Sequence, residues 1–141
     1  MLAVAIAAGV ASAHAQVAAF VVGGDAIGAP LGGLHGDALR GERIVRDRET
    51  GNCLICHAIP EPAEPFQGDI GPPLAGVGLR LTPGQIRLRL VDPTLLNPAT
   101  VMPAYHRIDG LRRVEARYAG RPVLDAQAIE DVVAYLSGLQ R

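Results

Sequence analysis

The run Cys53-Leu54-Ile55-Cys56-His57 sets two thiols one helical turn apart and an imidazole directly after the second. Cys-x-x-Cys-His is the spacing of c-type haem attachment. Each sulfur can add across one vinyl group of the porphyrin, and the histidine then lies under the iron as its proximal ligand. The chain has no other cysteine, which serves two rival uses of the pair badly. A structural zinc site wants four Cys or His ligands, usually as two knuckles, and the second knuckle is missing. A dithiol redox pair belongs in a strand-helix-strand setting, and nothing around residues 53–57 reads as a parallel sheet. The pattern therefore points to one covalently attached haem c, with Cys53 and Cys56 as its tethers and His57 on the metal.

A haem iron held by one histidine has a second axial position, and one residue is a natural candidate for it. Met102, in Asn97-Pro98-Ala99-Thr100-Val101-Met102-Pro103-Ala104-Tyr105, is the only methionine besides the initiator and lies 45 residues beyond His57. A lone methionine is more often a gap filler in a core. Beside a haem motif, prolines on either side of Val101-Met102 stiffen a loop that could hold a thioether against iron, the His/Met mode of ligation. His106, four residues on, is the rival ligand; a lone histidine is commonly a surface or structural residue.

Length and composition bound what can hold these groups. At 141 residues the chain suits one domain. Residues 2–10 are an unbroken apolar and small run followed by Ala13-His14-Ala15, the small-x-small form of a signal-peptidase site, so cleavage is expected after Ala15. The run has no preceding Lys or Arg, and it is far short of the roughly 20 apolar residues needed to span a bilayer. The expected division is a signal peptide at 1–15, an N-terminal arm at 16–35 and the haem domain at 36–141. Export to the periplasm suits the haem, because bacteria attach c haem outside the cytoplasmic membrane. All 13 basic residues are Arg and nearly balance 14 acids, which argues against nucleic acid as a partner. With no Trp and few aromatics the core would be modest, and a buried haem supplies apolar bulk.

Several helices must position the site. Asp37 is a capping residue for a helix in which Ala38, Gly41, Ile44 and Val45 share a face, running to a stop near Gly51. Gly41 in its middle costs helix stability, so it is read as the place where a second helix comes close. The haem motif follows on a short helical turn. Residues 58–81, punctuated by Pro60, Pro62, Pro65, Pro72 and Pro73, form a long loop of the kind that needs a reason inside a compact domain; wrapping a flat cofactor is one. Thr82, Pro83 and Gln85 then open a helix through an N-cap, a proline at the first position and a capping box, ending at Asp92-Pro93, with Arg87 and Arg89 solvated. Residues 107–121 predict a turn or short element beside the haem. Asp125 caps a last amphipathic helix with Ile129, Val132, Val133, Leu136 and Leu139 inward and Glu130 and Asp131 outward. It should cross the first helix near Gly41, with Tyr135 in the contact.

Helix, haem motif, proline-rich loop, helix, methionine loop and closing helix, in that order, resemble an all-α class I cytochrome c fold, with N- and C-terminal helices packed around the covalently bound haem. The resemblance implies that Pro72 of Gly71-Pro72 offers its carbonyl to the ring N–H of His57. Residues 51–60, Gly71-Pro72-Pro73-Leu74-Ala75-Gly76-Val77-Gly78, Asn97-Pro98, Met102-Pro103-Ala104-Tyr105 and Glu130-Asp131-Val132-Val133-Ala134-Tyr135-Leu136 are similar to the SoxX family, the monohaem subunits of SoxAX complexes. The likeness covers roughly residues 36–141 and departs at His106 and Asp125, neither of them a ligand position. It implies a periplasmic subunit paired with a SoxA-like cytochrome. The complex would join thiosulfate oxidatively to a cysteine of a SoxYZ-like carrier, an L-cysteine S-thiosulfotransferase reaction, and this subunit would pass electrons to a soluble cytochrome c. The bond-forming centre is expected on the partner, and no catalytic residue on this chain. A His/Met iron has both axial positions filled and offers substrate no place, which agrees with that division. The alternative is a freestanding class I electron carrier with no sulfur substrate; a partnered subunit should bury a substantial apolar area, a shuttle only a small transient contact. Peroxidase-like chemistry would require an open iron position, as by loss of Met102.

Overall fold

The computed structural model describes residues 17–141, so the signal peptide expected at 1–15 lies outside the described residues. The helices are α1 (Ala38–Arg46), α2 (Val77–Arg80), α3 (Pro83–Val91) and α4 (Ala126–Ser137), with 3-10 turns at Leu31–Gly33, Cys53–Ile55, Pro93–Leu95 and Ala116–Tyr118. Among the described residues the only β-type pairing is one bridge between Gly23 and Ala26. No helix among them is long and apolar enough to cross a membrane.

Local chemistry accounts for the helix ends. The Asp37 carboxylate accepts the Arg40 N–H at 2.8 Å and starts α1. The helix stops at Arg46, short of the expected Gly51. Asp47 turns extended, and its carboxylate accepts from Glu49 N and Thr50 Oγ1, a local turn that competes with another helical turn. α3 opens on the capping box of Thr82 and Gln85 with Pro83 in its first turn, and closes at Asp92. Asp125 accepts from Ala128 N at 2.8 Å to start α4. Helix α2 lies where the prolines predicted only loop. It is pinned from the far end of the chain, where Gly76 N donates to Arg141 O at 2.8 Å and Gly78 N to Leu139 O at 3.0 Å.

Helices α1 and α4 cross at Gly41, as its position in the first helix predicts. A Cβ there would run into the main chain of Asp131 and come within 2.9 Å of Tyr135 Cβ. Ile129, Val132, Val133 and Leu136 of α4 are buried in one core with Val45, Leu54, Leu88, Leu90 and Val91. Residues 17–35 run mostly exposed along the protein, but two of them, Ile27 and Leu31, are fully enclosed in the core.

Three charged residues depart from the sequence reading. Arg87, expected in solvent, is buried, and so are Glu130 and Asp131, expected on the outer face of α4. Arg87 Nε and Nη2 donate to Glu130 Oε1 and Oε2 at 2.7 and 2.8 Å, Leu31 N donates to Glu130 Oε1 at 2.8 Å, and Arg87 Nη1 donates to Ile27 O at 2.7 Å. One fork-to-fork pair thus ties α3, α4 and the arm. Periodicity places charge outside by default; only a partner brought from far along the chain makes its burial affordable.

Asp131 accepts from Arg40 Nε and Nη2 at 2.7 and 2.8 Å, Asp37 N at 2.7 Å and Gln127 Nε2 at 2.9 Å. Burial alone would raise its pKa, but the Arg40 guanidinium, the Asp37 N–H and the Gln127 amide outweigh it and hold the carboxyl below the usual range. A depressed folded pKa contributes stability that is complete above the unfolded value, about 4, and is lost as pH falls through the folded one. Acid titration of unfolding is therefore expected to show Asp131→Asn with a shallower loss of stability below about pH 4 than the parent; equal slopes would contradict this role.

Candidate cofactor site

The turn at Cys53–Ile55 is wound on one carbonyl: Cys53 O accepts Cys56 N at 3.2 Å and His57 N at 2.9 Å. Asn52 enters it in the left-handed region at φ 48. Leu54 is wholly buried on the inner side of this turn, which fixes its orientation in the core. The proline-rich segment is laid against it through Gly68 N to Leu54 O at 2.8 Å, Gly71 N to Cys56 O at 2.7 Å and Leu74 N to Ala58 O at 2.8 Å. The long loop is thereby held against the Cys53–His57 run.

His57 is oriented by this segment. Its Nδ1 lies 2.7 Å from Pro72 O, the contact the resemblance implied. A carbonyl only accepts, so Nδ1 carries the hydrogen and the Nε2 lone pair is left for a metal. The imidazole packs so closely on Gly71 that a Cβ there would lie 2.7 Å from Nδ1 and 2.9 Å from Nε2. Glycine is a steric requirement of the ring's position.

Cys53, Cys56, His57 and Met102 all line one cavity of about 920 Å³. Its wall is otherwise mainly apolar, including Ile70, Pro72, Leu74, Leu81, Ile86, Leu90 and Val123. Arg48, Arg80, Arg89 and Arg117 also reach it, against the single carboxylate of Glu49. Arg80 donates to Ala75 O at 2.6 Å and Pro73 O at 2.9 Å, and Arg89 to Gln85 O at 2.9 Å. Among the described residues neither has an acidic partner. A large apolar lining, two thiols, an imidazole and a thioether on one wall system, and an excess of guanidinium fit a flat apolar macrocycle that carries iron and two carboxylates. The volume falls within the usual range for cofactor sites, about 300–1,000 Å³. The Ala116–Tyr118 turn contributes Arg117 and Tyr118 to the lining, so residues 107–121 do pack beside the site. Sequence reasoning missed the arginines, because nothing in their spacing separates a cavity-lining cation from a solvated one.

The competing uses of the pair fare worse. Cys53 and Cys56 are not joined to each other as a disulfide. Burial pushes Cys53 up to about 11, only partly offset by a hydrogen bond with Tyr105. A thiol that stays protonated at neutral pH is a poor redox nucleophile. Among the described residues no group of three or more His, Cys, Asp or Glu gathers as a metal site, so the zinc reading has no ligand set. His106 is fully buried, with Nδ1 donating to Leu124 O at 2.8 Å and Nε2 accepting from Ala18 N at 3.0 Å. Both ring nitrogens are occupied and the residue does not line the cavity. It is a structural link between the arm and residues 105–124.

No protein-family model matches the chain, and no curated protein does. Among solved structures, it is similar to a chain in the crystal structure of SoxXA from P. pantotrophus, with 35% sequence identity, a TM-score of 0.78, and coverage of 91% of this chain and 98% of that one. The fold is that of a class I cytochrome c.

Proposed function

The chain belongs to the SoxX family, and we propose on that premise that it is the monohaem electron-transfer subunit of a periplasmic SoxAX-type complex. The observation that carries the reading is the convergence of Cys53, Cys56, His57 and Met102 on one apolar cavity. The bound group supplies a one-electron iron couple. Cys53 and Cys56 would hold it through thioethers to its two vinyl groups. His57 Nε2 and the Met102 sulfur would be its iron ligands, and Pro72 O, 2.7 Å from His57 Nδ1, keeps the imidazole in the ligating tautomer. The apolar lining would exclude water, and Arg80 and Arg89, which line the cavity, would balance the group's carboxylates.

With His57 and Met102 both serving the iron, this subunit would offer thiosulfate no place to bind, and its task is electron exchange. Joining a carrier cysteine thiol to thiosulfate makes one S–S bond and releases one proton and two electrons. The subunit must therefore accept and hand on an electron twice per bond formed. The bond-making chemistry belongs on a SoxA-like partner acting on a SoxYZ-like carrier, and a soluble cytochrome c is the acceptor. Methionine ligation, which raises the potential, suits an accepting role.

Production with periplasmic haem maturation is expected to give a coloured, low-spin protein. Met102→Ala should abolish the methionine-type spectrum and open the iron to added ligands, while His106→Ala should leave that spectrum in place and cost only stability. The reverse pattern would reassign the ligand, and a colourless soluble product would end the haem reading. Co-purification with a SoxA-like subunit and thiosulfate-dependent reduction test the sulfur role; their joint failure, with competent electron exchange, favours the freestanding carrier.

A further inference from the structure

The loop that carries Met102 is tied to the rest of the protein at its neck. Leu90 O accepts Tyr105 N at 3.0 Å and Val91 O accepts His106 N at 3.3 Å. One position further along both segments, Asp92 Oδ2 accepts Arg107 Nη1 at 2.9 Å. These are three successive pairs in parallel register, and the third is charged. Arg107 Nη1 also donates to Thr94 Oγ1 at 3.0 Å, and Thr94 in turn donates to Asp92 Oδ1 from its hydroxyl at 2.5 Å and its N–H at 3.1 Å.

Residues 95–104 form hydrogen bonds only with one another and with Asp92 and Pro93 at the start of the loop. Leu95 N, Leu96 N and Asn97 N reach back to Asp92 O and Pro93 O, Thr100 N and Ala99 N go to Asn97, and Met102 N goes to Thr100 Oγ1. Among the described residues nothing outside the loop bonds to this stretch, and Val101, beside the methionine, is 80% exposed. A segment with few outside bonds and a solvated tip is where local opening is cheapest. At the neck, the Asp92 side chain is 8% exposed and that of Arg107 33%.

We propose that Asp92 and Arg107 are positioning residues that lock the neck of the methionine loop and so set how often the Met102 sulfur leaves the iron. The inference rests on the reading of Met102 as an axial ligand. Neither residue lines the cavity, so both act through the loop. Removing Arg107 leaves the Asp92 carboxylate without its guanidinium, and hydrogen bonds to charged groups are the stronger kind. The open state should become about tenfold more populated. A ligand that binds only the open state then binds tighter by the same factor.

The test is imidazole binding to the haem-loaded ferric protein, followed by its spectrum, with thermal unfolding measured alongside. Arg107→Gln is expected to bind imidazole about tenfold more tightly than the parent, and Arg107→Lys to recover part of the difference. Arg40→Gln, which breaks the ion pair with Asp131 at the α1–α4 crossing, should lower the melting temperature and leave imidazole affinity at the parent value. Equal affinities in Arg107→Gln and the parent, or an equal rise in Arg40→Gln, would overturn the lock. Should Arg107→Gln fail to mature, Asp92→Asn carries the same expectation and the same refutation. Met102→Ala separates the premise from the inference. If it binds imidazole no more tightly than the parent, methionine ligation itself is wrong and the lock falls with it. If it binds far more tightly while the neck variants do not, only the lock is refuted.

Discussion

Glu130→Ala is expected to destabilise the protein by about 3–5 kcal/mol, the usual cost of stranding one member of a buried ion pair. The Arg87 and Glu130 side chains are only 5% and 3% exposed, so the guanidinium left behind has no water to turn to. The Leu31 N–H, which donates to Glu130 Oε1, loses its acceptor as well. For a domain of this size the melting temperature should fall by roughly 10–20 °C. Replacing both charges, as Arg87→Met with Glu130→Leu, should recover part of the loss, because a pair exchanged for apolar bulk is often nearly neutral. Recovery stays partial, since Ile27 O and Leu31 N then lack partners at about 1–3 kcal/mol each. Denaturant melts of the two single variants and the double give the cycle. A single variant within about 0.5 kcal/mol of the parent, the range of ordinary surface substitutions, would show that the pair does not tie the arm to α3 and α4.

The second large effect is expected at Gly41. Alanine in place of glycine inside a solvated helix gains roughly 1 kcal/mol. Here the added Cβ would run into the Asp131 main chain and stand 2.9 Å from Tyr135 Cβ. Two helix backbones would have to separate, which flexible side chains cannot absorb. The expected loss is about 3 kcal/mol, at the upper end of overpacking, and Gly41→Val should be worse. Leu39→Ala in the same helix, at a position 69% exposed, is the control and should be close to neutral. Stability gained in Gly41→Ala would mean that the crossing is loose and the glycine incidental.

Much of the site was legible because its chemistry is local in the chain. Five consecutive residues carry the two cysteines and the histidine that line the cavity, and a methionine between prolines is the fourth group to reach it. The helix starts were legible for the same reason: Asp37, Thr82 and Asp125 each cap a main-chain N–H three residues on. Gly41 was readable as a crossing point because a glycine in a helix interior needs a compensating reason.

What the sequence determined by itself is the set of groups available and the local geometry that a few adjacent residues impose. The cofactor class, the order of the three longer helices α1, α3 and α4, and the identity of the two axial candidates all follow from that, whereas α2 does not. Tertiary structure alone decided that Arg87 and Glu130 are inside, that Ile27 and Leu31 of the arm belong to the core, that His106 is spent on Ala18 and Leu124, and that the methionine loop hangs from an Asp92–Arg107 neck. In the first three cases the deciding partner lies at least 18 residues away. A charge is buried or solvated according to what meets it in space. Periodicity records only which side of its own helix a residue occupies, and so could not tell Arg87, folded against Glu130, from Arg89 on the same helix.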